Sequence, residues 1–126
     1  MKKYIHVVED NEDIRYIVEF FLSDYDYDVQ LSSTVKDFVS SMKSPSPDLY
    51  LIDVMLPDGN GLEICRHIKS NNKTKHIPVI LMSAHINEHE VRRQSNADDF
   101  ISKPFDLNVL VARIEKQLYP PERAAK

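Results

Sequence analysis

The stretch "DLYLIDVMLP", residues 48–57, decides how this sequence folds. Four largely apolar residues precede Asp53 and three more follow it, before the turn-forming residues "PDGNG". A short apolar run bounded by turn residues predicts a buried strand, here one that ends at Asp53. Burying a carboxylate in such a run is costly unless a charge or hydrogen bonds compensate it. The sequence therefore predicts a compensating partner at the end of this strand.

Strand and helix patterns alternate along the rest of the chain. Five short segments are rich in apolar and β-branched residues, as strands are: 3–8, 28–32, 49–53, 78–83 and 100–103. The first helix carries apolar residues at helical spacing: Ile14, Ile17, Val18, Phe21, Leu22 and Tyr25. Further helices are predicted over 34–42, around Cys65, and over the apolar-poor segment 86–97. The last helix has Asp106 as its predicted N-cap and one apolar stripe: Leu107, Leu110, Val111, Ile114 and Leu118.

This alternation of five strands with five helices predicts an α/β fold. It indicates a single doubly wound, five-stranded parallel sheet covered on both faces. The length of 126 residues suits one domain. We assign residues 1–120 to it and 121–126 to a C-terminal tail, because the prolines of "YPPERAAK" cannot extend the last helix.

Composition excludes several classes of protein. The net charge of −4 and pI near 5.7 argue against direct binding of nucleic acid, which usually needs a basic surface. The apolar runs are too short for a membrane span, and the start "MKKYIHVVED" lacks the apolar core of a secretory signal. Cys65 is the single cysteine, which indicates a reducing compartment and predicts a cytoplasmic protein.

Five functional side chains lie at or next to predicted strand ends: Glu9, Asp10, Asp53, Ser83 and Lys103. The carboxyl ends of parallel strands meet at one edge of the sheet, where such folds bind ligands. Three carboxylates there repel one another, but Mg²⁺ together with the Lys103 ammonium would neutralise them. A metal held by carboxylates serves phosphate chemistry, in which Ser83 and Lys103 would contact phosphate oxygens.

Four separated segments also agree, in order and in structural context, with one protein family: "VVEDNE", "LIDVMLPDGNG", "VILMSA" and "ADDFISKPF". On these segments, residues 3–118 resemble the receiver domain of response regulators in two-component phosphorelay signalling, the CheY-like domain. The resemblance implies a flavodoxin-like (βα)5 fold with the strand order 2-1-3-4-5.

The resemblance also implies a role for each acidic residue. Asp53 would be the phosphoacceptor, a carboxylate nucleophile that takes a phosphoryl group from a sensor histidine kinase or a histidine phosphotransfer protein. Asp10, Asp53 and the backbone carbonyl of Met55 would bind Mg²⁺, with Glu9 acting through water. The domain would catalyse only its own phosphorylation and dephosphorylation, and so is not expected to be an enzyme in the usual sense.

The remaining implied roles belong to the activated state. Lys103 would pair with the acyl phosphate, and its peptide bond to Pro104 would be cis. Ser83 would hydrogen-bond the phosphoryl group, and Phe100 would turn inward behind it. The face made by the fourth helix, the fifth strand and the fifth helix would then bind a downstream protein that the sequence does not identify. A homodimer through the same face stays open.

Three residues differ from the commonest pattern of this family. Ser83 replaces threonine and Phe100 replaces tyrosine, so a plain strand-end hydroxyl and an ordinary core aromatic are the simpler interpretations of these two positions. Asn96 replaces a glycine at the end of the fourth helix, where we expect a left-handed C-cap. None of the changes removes a functional group that phosphoryl transfer requires.

Other functions stay open as alternatives. A haloacid-dehalogenase-type phosphatase would need an aspartate two residues beyond the nucleophile, where this chain has Met55. A flavodoxin-like cofactor carrier would need backbone amides for phosphate after the first strand, where "EDNED" would repel it. The remaining alternative is a degenerate receiver that binds a protein without phosphorylation.

A metalloprotease-like pattern, H-x-x-E-H, occurs at residues 85–89. It follows a strand in a small domain, which makes metal-dependent proteolysis a poor interpretation. His85 lies two residues after Ser83, so we hypothesise instead that it modulates the lifetime of phosphorylated Asp53.

Overall fold

The computed structural model describes residues 2–43, 45–84 and 88–120, without the side chains of Glu88, Arg92 and Gln94. Its main sheet has five strands: β1 (Tyr4–Val8), β2 (Asp28–Ser32), β3 (Leu49–Asp53), β4 (Val79–Ser83) and β5 (Asp99–Ser102). They lie in the order β2-β1-β3-β4-β5, and every neighbouring pair is parallel. The predicted fold class and strand order are therefore confirmed.

Five helices connect or follow these strands: α1 (Glu12–Asp24), α2 (Val35–Ser41), α3 (Gly61–Ser70), α4 (Glu88–Gln94) and α5 (Leu107–Leu118). A side-chain oxygen caps the N-terminus of four of them, from Asn11, Thr34, Asn60 and Asp106. The predicted cap at Asp106 is thus confirmed. None of the helices in the described part of the chain is long and apolar enough to cross a membrane.

The core has two layers, because successive side chains of each strand face opposite sides of the sheet. In β3, Tyr50 and Ile52 pack on the side of α2, α3 and α4, whereas Leu49 and Leu51 pack on the side of α1 and α5. Both faces of β3 are buried. This double burial explains why its sequence is apolar throughout rather than alternating.

Three details differ from the sequence predictions. Ile17 of α1 and Tyr25, the C-cap of that helix, are exposed, because the buried stripe centres on Val18 and Leu22. The prediction of a left-handed C-cap at Asn96 is wrong, since Asp26 is the only non-glycine residue with positive φ in the described ranges. The end of α4 is stabilised instead by Ser95, whose Oγ donates a hydrogen bond to the carbonyl of Val91 at 2.7 Å. The predicted tail, 121–126, lies outside the described residues.

Candidate functional site

The carboxyl edge of the sheet brings the predicted acidic residues together. Glu9 and Asp10 follow β1, and Asp53 ends β3, which pairs directly with β1. Carboxylate oxygens of these three residues lie within 4.8 Å of one another. They line an open cavity of about 520 Å³ together with Asn11, Ile14, Met55, Ala84 and Lys103. The sequence prediction of one acidic cluster at this edge therefore agrees with the geometry.

Lys103, which follows β5, places its ammonium between two of the carboxylates. Its Nζ lies 2.8 Å from Asp53 Oδ2 and 2.5 Å from Glu9 Oε1. Asp53 is only 5% exposed and Glu9 is fully buried. This ammonium is the compensating partner that the apolar surroundings of Asp53 demand.

The pairing with Lys103 does not fully offset the cost of burying the carboxylate of Glu9, as its pKa shows. Burial raises the pKa of Glu9 to about 7, and the charge of Asp53 adds to the rise, whereas hydrogen bonds from Lys103 and Asn11 oppose it. Burial also acts to lower the pKa of Lys103, but its bonds to Asp53 and Glu9 outweigh that effect and leave the pKa raised. When all three carboxylates are ionised, they outnumber the Lys103 ammonium that pairs with Glu9 and Asp53.

The residues present fit a magnesium ion. Asp10 is exposed beside the two buried carboxylates, so the cluster is open to solvent on one side. Oxygen ligands of this kind, reached from water, are what Mg²⁺ prefers. Within the described residues, this is the only cluster of three or more metal-ligating side chains.

The backbone after Asp53 is held close to the site by a short hairpin. Met55–Leu56 pairs with Gly59–Asn60 in antiparallel fashion, and the N–H of Met55 donates to Asp53 Oδ1 at 3.2 Å. A Cβ on Gly61 would lie 2.2 Å from the carbonyl oxygen of Asp53. Glycine at 61 is therefore required by this close approach of two backbone segments.

One residue that sequence reasoning missed fixes the acidic loop from behind. Arg15 of α1 donates hydrogen bonds from Nη1 to the backbone carbonyls of Glu9, at 2.9 Å, and Asp10, at 2.8 Å. Both carbonyls are thereby occupied, and the loop that carries the two acids is tied to the first helix. No pattern in the sequence distinguishes Arg15 from a solvated helix residue.

The other predicted site residues lie on β4 and β5. Ser83 is buried at the end of β4, and its carbonyl accepts a hydrogen bond from the N–H of Lys103 at 3.0 Å. Phe100 pairs in register with Leu81, and its ring is buried in the core layer that includes Val91. The peptide bond between Lys103 and Pro104 is cis, the isomer expected from the resemblance. His85, the hypothesised modulator, lies outside the described residues.

Comparison with known proteins agrees with this geometry. The family profile described as "Response regulator receiver domain" matches residues 5–115. The phosphate regulon transcriptional regulatory protein PhoB of Escherichia coli (strain K12) is 38% identical over 117 residues, which are 91% of this chain and 51% of that protein. The chain thus spans about half the length of this curated relative.

Two solved structures of receiver domains match this chain over almost their whole length. The signal receiver domain of a signal transduction histidine kinase from Syntrophus aciditrophicus is 27% identical with a TM-score of 0.84, covering 98% of each chain. The receiver domain of a sensor histidine kinase from Pseudomonas aeruginosa, solved with a magnesium ion coordinated in its active-site cleft, is 25% identical with a TM-score of 0.84. It covers 94% of this chain and 98% of that one. This chain belongs to the response regulator receiver domain family.

Proposed function

We propose that this domain accepts a phosphoryl group on Asp53 from a phosphohistidine and thereby switches its binding to another protein. The observation that carries the proposal is the ammonium of Lys103, which lies 2.8 Å from Asp53 Oδ2 at an open, acidic edge of the sheet. A buried carboxylate already paired with a cation can receive a phosphoryl group whose new negative charge that same cation stabilises.

The chain's own residues would perform the transfer by position and charge. An Asp53 carboxylate oxygen would form a bond to phosphorus while the P–N bond to the donor imidazole breaks, and the imidazole nitrogen would keep the electron pair. Lys103 would neutralise the oxygens of the transferred group, and Ser83 would donate a hydrogen bond to one of them. Phosphoryl transfer requires little covalent chemistry from the protein, so positioning and electrostatic stabilisation of the phosphoryl oxygens would supply most of the catalysis.

Mg²⁺ is the cofactor that we propose for this step. Asp10, Asp53 and the backbone carbonyl of Met55 would hold it, with Glu9 acting through water. When bound, the ion supplies positive charge to the phosphoryl oxygens and lowers the repulsion among the carboxylates. The close approach of three carboxylates and the raised pKa of Glu9 are the features that support this proposal.

The phosphodonor is expected to be a sensor histidine kinase or a histidine phosphotransfer protein. Next to the acidic cavity lies an apolar one of about 450 Å³, and both are lined by Ile14, Ala84 and Lys103. Ile17 of α1 lines the apolar cavity and is 48% exposed, and Phe20, three residues later on the same helix, is 68% exposed. A partner helix that packed its own apolar residues there would bring a phosphohistidine to the mouth of the acidic cavity.

We further propose that phosphorylation acts on the face made by α4, β5 and α5. The short helix α4 has Val91 as its buried anchor among the described side chains, so it can move at low cost. Ser83 and Phe100 would connect the phosphoryl group to this face. In this view the domain resides in the cytoplasm, acts on no outside substrate and binds no nucleic acid itself. A phosphorylation-independent binding module is the alternative.

Labelling with a small acyl phosphate and Mg²⁺ tests the proposal. The wild-type chain should gain the mass of one phosphoryl group, and Asp53→Asn should abolish the gain because the nucleophile is lost. Asp28→Asn, an exposed change at the opposite end of the sheet, is the matched control and should label normally. Equal labelling of Asp53→Asn and wild type would rule out Asp53 as acceptor, and an unlabelled wild type would favour the alternative.

A further inference from the structure

The edge strand β5 is closed off at Phe100 by side chains rather than by another strand. Edge strands present backbone groups without a strand partner. Here the N–H of Phe100 donates to Asp99 Oδ1 at 2.8 Å, and its carbonyl accepts a hydrogen bond from Arg113 Nη1 at 3.0 Å. Both backbone polar groups of Phe100 are therefore bonded by side chains.

Arg113 of α5 completes this arrangement with a single nitrogen. Its Nη1 also donates to Asp99 Oδ1 at 2.9 Å, so guanidinium, carboxylate and the peptide groups of Phe100 form a closed ring of hydrogen bonds. Asp99 is buried, and the Arg113 side chain is partly exposed. Charge-assisted bonds to a sheltered carboxylate are among the stronger ones in proteins. We name this group of Asp99, Phe100 and Arg113 the β5 clamp.

The β5 clamp links the strand that carries Lys103 to a surface helix. Lys103 follows Phe100 by three residues, directly after the end of β5, and its ammonium bridges Glu9 and Asp53. A change of charge at Asp53 alters the force on that ammonium and hence on β5. Arg113 then connects the same strand to α5, on which Val109 is 44% exposed one helical turn earlier.

We propose that Arg113 is a positioning residue that couples the Asp53 site to the surface of α5 by clamping the backbone of Phe100. The inference rests on the proposed function. It assigns the coupling to α5 specifically to this guanidinium, rather than to packing of the Phe100 ring alone. Without Arg113 the acidic site should still bind its ligands, but α5 should no longer respond.

The test uses the full chain with ¹³C-labelled valine and alanine methyl groups, titrated with beryllofluoride and Mg²⁺. In the wild type, the Ala84 signal reports binding at the site and the Val109 signal reports the response of α5. In Arg113→Gln, we expect the Ala84 shift to persist and most of the Val109 shift to be lost, because β5 and α5 are no longer joined by the guanidinium. Arg113→Lys should restore part of the response, since an ammonium can still donate to both oxygens.

Arg93→Gln is the matched control, because Arg93 pairs with Glu90 within α4. It should keep the full Val109 response. Asp99→Asn is a second variant that keeps an acceptor for the Phe100 N–H but weakens the bond to Arg113, so it should also reduce the Val109 shift. A full Val109 response in either Arg113→Gln or Asp99→Asn at saturation would overturn the proposal. So would an equal loss in Arg93→Gln. A wild type whose Ala84 signal never shifts would instead refute the proposed function, and the clamp's role with it.

Discussion

Two buried ionisable side chains lie three residues apart, His6 on β1 and Glu9 directly after it, and their surroundings shift their pKa values in opposite directions. His6 lies 2.7 Å, through Nε2, from the Ser32 hydroxyl, and its ring stacks on Phe38 with centroids 5.6 Å apart. Burial lowers the pKa of His6 to about 4, so the ring is neutral. Glu9 instead shares one ammonium with Asp53, and burial raises its pKa to about 7.

This difference separates a structural polar residue from a functional one. A neutral hydroxyl and aromatic faces satisfy His6, and nothing about it calls for an added ligand. Glu9 sits in a cluster of three carboxylates, two of which share the Lys103 ammonium, so a further cation would stabilise it. Burial alone therefore does not mark a functional site, whereas carboxylates crowded at the carboxyl edge of a parallel sheet point to one.

The largest expected effect comes from removing His6. His6→Ala should lower the free energy of unfolding by about 3 kcal/mol, because it opens a cavity in the core and removes the partner of the Ser32 hydroxyl. Urea unfolding followed by circular dichroism measures the loss. The exposed His76→Ala is the matched control, with an expected change below about 0.5 kcal/mol.

His6 also determines part of the decrease in the free energy of unfolding at acidic pH. Its folded pKa of about 4 lies below the ordinary 6.5, so between these values the unfolded chain binds the proton more readily. The stability contribution of neutral His6 is therefore lost as the pH falls from 6.5 towards 4. His6→Ala should lack this part of the decline, and a loss of stability below about 1 kcal/mol at neutral pH would contradict a core role.

Substitution of Glu9 is expected to change the free energy of unfolding less, and in the opposite direction. Glu9→Gln should raise the free energy of unfolding by about 2 kcal/mol at pH 8 without metal, because it removes a buried charge whose pKa is raised. The folded pKa of about 7 exceeds the ordinary 4.5, so the wild type loses stability as the pH rises through that window. The advantage of the variant should therefore shrink towards pH 5.

Magnesium should change the stability effect of the substitution at Glu9 but not that of the substitution at His6. Adding Mg²⁺ at pH 8 should stabilise the wild type and narrow its difference from Glu9→Gln, while leaving the cost of His6→Ala unchanged. The exposed Glu63→Gln on α3 serves as the control for a lost glutamate charge. A Glu9→Gln protein less stable than the wild type at pH 8 would show that Glu9 is a structural residue like His6.

The sequence predicted the fold and the acidic edge because both depend on local patterns. Period and turn residues locate strand ends, and parallel strand ends must share one edge, so Glu9, Asp10, Asp53 and Lys103 could be placed together. The exposure of Ile17 could not be predicted, since helical spacing identifies an apolar stripe but not where its margin meets solvent. No sequence pattern identifies the partner of an arginine either, because its long side chain can reach many different groups. Arg15 and Arg113 were therefore missed.

A crystal structure of the chain with Mg²⁺ and beryllofluoride tests the central claim most directly. The account predicts beryllofluoride on an Asp53 carboxylate oxygen, within reach of Lys103, and Mg²⁺ held by Asp10, Asp53 and the carbonyl of Met55. Position 53 left bare at saturating concentrations of both, with the three carboxylates turned apart, would contradict it.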